Sequence, residues 1–149
     1  MPFRRDMPRT INHPDILAFI AVCDKLKDGN ILSEQDLRSV EILAMIDSIF
    51  ILKWDENEGD FQYRYWGTSV ANAYGLDLTG KHLRKGHPHA FTEKFIEAHY
   101  EAMTQKKRVF LGGSLDWRQK DHRTWDQVTM PLARGDKVDE TLSYIRFNI

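Results

Sequence analysis

The last third of the chain contains three stretches of strand-forming residues, at 109–117, 123–132 and 138–147. Each contains β-branched and aromatic side chains, which favour extended backbone. The predicted turns between them, at 120–121 and 134–137, are too short for the crossover that joins parallel strands. The three strands are therefore predicted to pair as antiparallel neighbours in one sheet.

A strand hairpin is predicted upstream of these three strands. Residues 49–54 and 61–66 have strand composition, and the polar, glycine-containing segment 55–60 between them indicates a hairpin turn. Side chains of a strand alternate between the two faces of its sheet. In the second strand the two predicted sets are Phe61, Tyr63 and Tyr65 on one face and Gln62, Arg64 and Trp66 on the other.

Helical periodicity accounts for most of the remaining chain. Apolar residues at helical spacing predict a first helix over 12–26, a shorter one over 33–43 and a longer one that begins at Thr92. Residues 1–11 carry Pro2 and Pro8 and are predicted to be a flexible arm. The element order predicts an α+β fold in one domain over 12–149, with N-terminal helices at 12–45 and a core at 46–149.

Composition limits the classes of function. A chain of 149 residues with 42% hydrophobic and 29% charged residues is expected to form one soluble globular domain. The net charge of -1 argues against a nucleic-acid partner, and no apolar run is long enough to span a membrane. The single cysteine, Cys23, excludes an internal disulfide. A cytoplasmic protein is expected.

Residues 61–83 carry an ordered set of turn motifs, in the sequence FQYRYWGTSVANAYGLDLTGKHL. A strand with Arg64 leads to the Gly67–Thr68 pair, a short helix and a turn at Leu78, Thr79 and Gly80. This order resembles the PAS family, and more narrowly its small stand-alone members from alphaproteobacteria, over residues 16–147. The resemblance implies a five-stranded antiparallel sheet with helices on one face, a small hollow between them, and a sensory or regulatory function. On the residues alone, Gly67, Thr68, Thr79 and Gly80 also suit turns and a helix cap.

Aromatic residues on the predicted strands are the main candidates for a ligand site. If the fold has a hollow, some of them must line it, and a few polar groups would orient a small ligand. The predicted ligand-binding residues on strands are Tyr63, Tyr65 and Trp125, with Arg64 or Gln127 as polar partners. A structural ion pair is the alternative role for Arg64.

No cofactor is identified by the sequence. His99 is a further ligand candidate, because some haem-binding PAS sensors place their axial histidine on the corresponding helix. A single histidine at helical spacing is usually a packing or surface residue, however, which argues against haem. The resemblance implies that flavin photochemistry needs a reactive cysteine in the middle of the domain, whereas Cys23 lies far upstream. The cofactor therefore stays unknown, with haem and flavin both disfavoured.

Metal and enzyme chemistry are weakly supported. The segment with His82, His87 and His89 lacks a carboxylate or thiol ligand, so no metal site is expected. No phosphate-binding glycine loop or nucleophile elbow is present. The enzyme alternative is a cone-shaped α+β barrel of the dehydratase or isomerase kind, in which an aspartate and a histidine transfer protons. Its candidate residues are Asp116, Asp126 and His99.

Partner proteins are predicted from the first helix and from the chain end. Apolar side chains cover more than half of the first helix, which predicts a homodimer. The predicted interface residues are Ile16, Phe19, Ile20 and Cys23. The last predicted strand ends near Ile149, so a sensory domain of this kind is expected to lack an effector of its own and to act on a partner protein. A ligand-free scaffolding domain, with the hollow filled by its own side chains, is the third hypothesis.

Overall fold

The computed structural model describes residues 3–26, 31–75, 77–86, 91–115 and 120–148. Short single turns of 3-10 helix lie at Asp36–Arg38 and Ile46–Ser48. The helices are α1 (Pro8–Ile11), α2 (Pro14–Leu26), α3 (Val40–Leu43), α4 (Thr68–Tyr74), α5 (Leu83–Gly86) and α6 (Thr92–Gln105). The strands are β1 (Arg4–Arg5), β2 (Leu32–Ser33), β3 (Ile49–Asp55), β4 (Asp60–Trp66), β5 (Val109–Leu115), β6 (Lys120–Arg134) and β7 (Lys137–Asn148).

Five antiparallel strands form the centre of the sheet, in the spatial order β5-β6-β7-β3-β4. The predicted hairpins are β3–β4 and β6–β7, and β5 pairs antiparallel with β6. The helical segment α4–α6 connects β4 at one edge of the sheet to β5 at the other. Two short strands are added to the predicted five: β1 pairs antiparallel with β5, and β2 pairs parallel with β6.

Helices cover both faces of this sheet. On one face, here called the α6 face, α4, α5 and α6 bury a cluster that includes Phe50, Phe95 and Trp125. On the opposite α2 face, α2 and α3 bury a cluster that includes Phe19 and Val128. Both sides of the central strands are therefore shielded from water, as a sheet with apolar side chains on both faces requires.

The predicted dimer contacts of the first helix are used within the chain. Ile16, Phe19 and Cys23 are completely buried against the α2 face, and the Phe19 ring stacks on Tyr144 with 4.7 Å between centroids. Ile20 is half-buried at the margin of the same cluster. The sheet face under α2 is apolar and needs this cover, so these side chains form intramolecular core rather than an outer surface.

The N-terminal residues also differ from the flexible arm expected. Residues 3–13, here called the N-terminal strap, cross the β5 edge of the sheet from one face to the other. Phe3 stacks on Phe91 of the α6 face, the Asp6 amide donates to the Phe110 carbonyl at 2.9 Å, and Thr10 is buried on the other side. Pro8 begins α1, a position where its missing N–H is not needed.

A β-bulge in β4 changes the predicted alternation of side chains. Ile51 pairs with Tyr65 and Leu52 with Tyr63, which leaves Arg64 as an extra residue without a cross-strand partner. One extra residue reverses the side-chain alternation beyond it. Tyr63 and Trp66 therefore both lie on the α6 face, whereas Tyr65 packs on the α2 face. The prediction that Tyr63 and Tyr65 share a face is wrong.

The glycine and threonine motif residues have structural roles that differ in part from those expected. Gly67 has an ordinary φ of -61°, but a β-carbon there would lie 2.7 Å from the Ile49 carbonyl oxygen, so the position requires glycine for steric reasons. Thr68 does not cap α4, whose N-cap is Gly67 without a side-chain hydrogen bond. Gly80 has a φ of +87°, which favours glycine. Thr79 donates to Asp77 at 2.6 Å, and the Gly80 amide donates to the Tyr63 carbonyl at 2.7 Å, so this turn covers the edge of β4.

Candidate functional site

Four of the six predicted ligand-binding residues lie on the α6 face of the sheet or on the helix above it. Tyr63, Trp125 and Gln127 project from the strands, and His99 projects from α6 toward them. The other two face elsewhere. Arg64 pairs with the buried carboxylate of Glu140, with 3.5 Å between Nε and Oε1. This contact is the structural ion pair named above as the alternative role of Arg64. Tyr65 donates its hydroxyl to the Ile46 carbonyl at 3.3 Å on the other side of the sheet.

A buried polar network connects α6 to the two central strands. His99 Nδ1 lies 2.8 Å from Thr141 Oγ1, and His99 Nε2 lies 3.2 Å from Gln127 Nε2. The Gln127 amide also donates to Thr129 Oγ1 at 2.7 Å, and Thr129 and Ser143 share a hydrogen bond of 2.7 Å. All five side chains are inaccessible to solvent. Such an arrangement is stable only when its polar atoms find partners.

His99 is neutral in this environment. Desolvation lowers the pKa of His99 from 6.5 to about 3, because the buried imidazolium would lose its hydration. The Gln127 amide nitrogen can only donate, so His99 Nε2 accepts its hydrogen bond and the ring proton is on Nδ1. The Nδ1 proton is then donated to Thr141. His99 thus fixes the orientation of the Gln127 amide and does not supply a charge.

Two buried polar atoms next to this network have no hydrogen-bond partner among the described residues. They are Trp125 Nε1, a donor, and Gln127 Oε1, an acceptor. Trp125 lies flat over Gly113, where an added β-carbon would be 3.0 Å from the indole, so the glycine makes room for the ring. Because Trp125 and Gln127 are two residues apart on β6, both side chains project from the same face of the strand.

An aromatic cavity borders the network. Its volume is about 10 Å³, which is room for about one water molecule. Phe95 lies between the cavity and the network, since its ring lines the cavity and is 4.4 Å from His99 between centroids. Burial raises the pKa of Tyr63 well above its ordinary value, so its phenol is neutral. The cavity is lined by Phe50, Tyr63, Trp66, Tyr74, Leu83, Phe91, Thr92 and Phe95.

Thr129, Thr141 and Ser143 belong to the network but were not predicted. They alternate with apolar residues in the sequences VTMPL and ETLSY, a pattern that usually marks the solvent-facing side of a strand. Here both faces are covered, so these polar side chains lie beneath α6 instead. One feature of the sequence could have indicated this burial. On this face of β6 and β7, successive positions carry short hydroxyl side chains and not the long charged ones of a solvent-facing strand.

The Asp–His pair of the enzyme alternative is not assembled from Asp126 and His99. Asp126 lies on the α2 face, where its carboxylate accepts from Thr10 at 2.6 Å, Asn148 at 2.7 Å and Arg9 at 3.2 Å. Asp126 and Gln127 are neighbours on one strand and project from opposite faces, so the sheet separates Asp126 from His99. Asp116 lies outside the described residues.

The histidine-rich segment is described only at its beginning. His82 Nε2 lies 2.9 Å from Asp55 Oδ2, a pair that joins the segment to the end of β3. Contact with His82 lowers the pKa of Asp55. His87 and His89 lie outside the described residues. Within the described part of the chain, no three metal-binding side chains come together.

Comparisons with known proteins bear on the fold. No family model and no curated protein match the sequence. A domain of an HTR-like protein from Haloarcula marismortui has a similar structure, with a TM-score of 0.50 and 17% identity over 68% of this chain and 96% of that chain. An RNA-binding Light-Oxygen-Voltage receptor has a TM-score of 0.48 at 14% identity; 97% of this chain aligns with 38% of that one. No helix of the described residues is long and apolar enough to cross a bilayer.

Proposed function

We propose that the chain is a sensory or regulatory PAS domain that binds a small neutral organic molecule on the α6 face. The α+β PAS fold predicted from the sequence is confirmed by the strand order and by the similarity to the HTR-like domain. The main support is that Trp125 Nε1 and Gln127 Oε1 have no partner among the described residues, and that the Trp125 ring contacts Phe91 and Phe95 of the aromatic cavity. A buried polar atom without a partner costs about 1–3 kcal/mol. A ligand with one acceptor and one donor would recover that free energy.

The surroundings of the two atoms define the class of ligand. His99 is neutral and the cavity lining includes no charged side chain among the described residues, so a charged ligand would be buried without a counter-ion. Phe91, Phe95 and Trp125 surround the region with rings, which favours a planar, largely apolar molecule. An amide or lactam edge on such a molecule offers the required acceptor and donor.

Binding requires side chains to move. A cavity of about 10 Å³ does not accommodate an organic molecule, so Phe91 or Phe95 must rotate away from Trp125 to make space. Phe3 of the N-terminal strap lies against the same rings, at 5.4 Å from Phe91 and 6.3 Å from Trp125 between centroids. Ligand binding would therefore disturb the strap, and the strap would report occupancy at the surface of the domain.

The proposal also includes the proteins with which the domain interacts. Asp126 and His99, two candidate residues of the enzyme alternative, lie on opposite faces of the sheet. We infer that the domain acts on an effector protein in trans, and that it forms a homodimer. The likeness to small stand-alone PAS proteins stays a prediction. The small cavity favours a second candidate, a ligand-free scaffolding domain in which the aromatic side chains fill the hollow.

Native mass spectrometry of the purified protein tests the ligand proposal. We expect a bound organic mass that is released on denaturation, lost in Gln127→Leu and reduced in Trp125→Phe, because each variant removes one of the unpartnered groups. Tyr65→Phe is the matched control, since Tyr65 lies on the α2 face and its variant should retain the mass. If the unmodified protein and the Tyr65→Phe variant both showed only the mass of the bare chain, ligand binding would be refuted and the scaffolding domain favoured.

A further inference from the structure

A second, more polar groove lies on the surface between α4 and the end of β7. Its volume is about 340 Å³, within the range of small-molecule sites. It exists because β3 begins at Ile49, opposite Tyr144, so the last residues of β7 have β6 on one side and α4 on the other. The lining residues are Ser48, Ser69, Asn72, Ala73, Arg123, Ile145, Arg146 and Phe147.

Among the described residues that line this groove, the two charged side chains are both arginines. Arg146 is held in place by Asp15, with 3.1 Å between Nε and Oδ2, and by Ser48 at 3.4 Å. Arg123 forms no ion pair with any residue that the structure describes. Because Asp15 compensates only one of the two guanidinium groups, about one positive charge is left unbalanced among the described residues at the groove. Ser69 and Asn72 add hydrogen-bond donors from α4.

We propose that this groove binds the oxyanion of a small aromatic molecule, a phosphate or a carboxylate. The guanidinium group presents paired N–H donors that match both oxyanions. Ile145 and Phe147 provide an apolar surface next to the two arginines, which suits an aromatic ring attached to the oxyanion. The charge and polarity of the groove make this ligand chemically distinct from the neutral molecule proposed for the α6 face.

Phe147 connects the groove to the aromatic cavity. Its ring contacts Tyr74 edge-to-face at 6.0 Å, and Tyr74 lines the cavity. A ligand ring on Phe147 would thus lie one side chain away from the α6-face site. The groove itself does not depend on that site being occupied.

Titration of the 15N-labelled full chain, followed by NMR amide shifts, tests the proposal. The probes are phenyl phosphate, benzoate and inorganic phosphate at low ionic strength. We expect phenyl phosphate or benzoate to give saturable shifts at Ser69, Asn72 and Phe147 with a Kd of about 1 mM or tighter. The tighter of the two aromatic probes identifies the oxyanion. Arg123→Gln should weaken binding about tenfold, and Arg123→Lys, which keeps the charge but loses the paired donors, should weaken it less.

Arg38→Gln is the matched control, because Arg38 is an exposed arginine on the Asp36–Arg38 turn and does not line the groove. The proposal is overturned if no probe gives saturable shifts up to about 20 mM, or if Arg38→Gln weakens binding as much as Arg123→Gln. Inorganic phosphate binding as tightly as phenyl phosphate and benzoate would also overturn it, because the ring would then contribute nothing. Retained amide dispersion in each variant shows that the fold is intact.

Discussion

At the scale of single residues, the buried neutral His99 makes the stability of the domain depend on pH. Its pKa is about 3 in the folded chain and 6.5 in the unfolded chain, so between these values only the unfolded chain binds the proton. The free energy of unfolding therefore falls as the pH falls below 6.5. From pH 7 to pH 5 the loss from His99 is about 2 kcal/mol.

Urea unfolding at pH 7 and pH 5 measures this loss directly. The protein with His99 should lose about 2 kcal/mol more between the two pH values than the His99→Gln variant, which does not titrate there. Comparing the change with pH in each protein removes the constant effect of the substitution on packing. An equal loss in both would show that His99 is protonated in the folded chain.

Gly67 gives a second prediction at this scale. A β-carbon at Gly67 would lie within 2.7 Å of the Ile49 carbonyl oxygen, which belongs to the sheet and cannot move freely. Gly67→Ala should therefore lower the free energy of unfolding by about 1–3 kcal/mol. At Gly59, where φ is +61° and nothing lies within 4 Å, the substitution to alanine adds only backbone strain of about 1 kcal/mol. A smaller effect at Gly67 than at Gly59 in chemical denaturation would contradict the steric argument.

Single residues also show where prediction from the sequence ended. Glycine at 80 follows from residue type, because its turn has a positive φ. The steric need for glycine at 67 comes from the Ile49 carbonyl, which no local pattern shows. The roles of Trp125 and Gln127 in a ligand site stay predictions. The side on which Tyr65 lies does not follow from residue type, since the bulge at Arg64 depends on pairing with β3 and leaves no local signal. The orientation of Gln127 is set by His99, which is 28 residues away in the chain.

At the scale of elements, the N-terminal strap gives the clearest test. Deletion of residues 1–6, so that the chain begins at Met7, removes β1 and Phe3 while keeping α1 and its Thr10–Asp126 hydrogen bond. The deletion uncovers the edge of β5 and the rings of Phe91 and Trp125. We expect the free energy of unfolding to fall by about 2–4 kcal/mol, from lost apolar burial and lost strand hydrogen bonds.

Arg5→Gln is the matched control for this deletion. Arg5 pairs with Glu101 at the surface, an interaction worth about 1 kcal/mol or less. If the deletion changed stability no more than Arg5→Gln, residues 1–6 would behave as the flexible arm expected from the sequence. Light scattering of the deleted protein should also increase, because an uncovered strand edge promotes association.

Elements differed in how well the sequence predicted them. The two hairpins, α2 and α6 were predictable because each repeats a hydrophobic period over many residues. The strap was not, since a strand of two residues and a helix of four are too short to show a period. The strap is ordered by long-range contacts with Phe110 and Asp126, which sequence patterns do not reveal.

At the scale of the whole molecule, the sheet has two separate apolar layers with different contents. The α2 face is filled mainly by aliphatic side chains, whereas the α6 face combines aromatic rings with the buried polar network. The α2 face also buries the Asp126 carboxylate, but Thr10, Asn148 and Arg9 donate hydrogen bonds to it. Under α6, two buried polar atoms have no partner among the described residues. This difference is why we propose the ligand site for the α6 face and a structural role for the α2 face.

The last prediction concerns association of two chains through α2. Ile16, Phe19 and Cys23 hold α2 on the sheet, but Leu17 on its outer side is 48% exposed and remains available to a second chain. We expect the unmodified protein to sediment as a dimer at tens of micromolar. Leu17→Glu should give a folded monomer, because it places a charge in the contact without touching the core. Phe19→Glu should unfold the domain, since the carboxylate would be buried beside Tyr144.

Val40→Glu is the control for added surface charge, because Val40 is 82% exposed on α3, and it should leave the dimer intact. A monomer for the unmodified protein, or a dimer for Leu17→Glu, would rule out this outer surface of α2 as the interface.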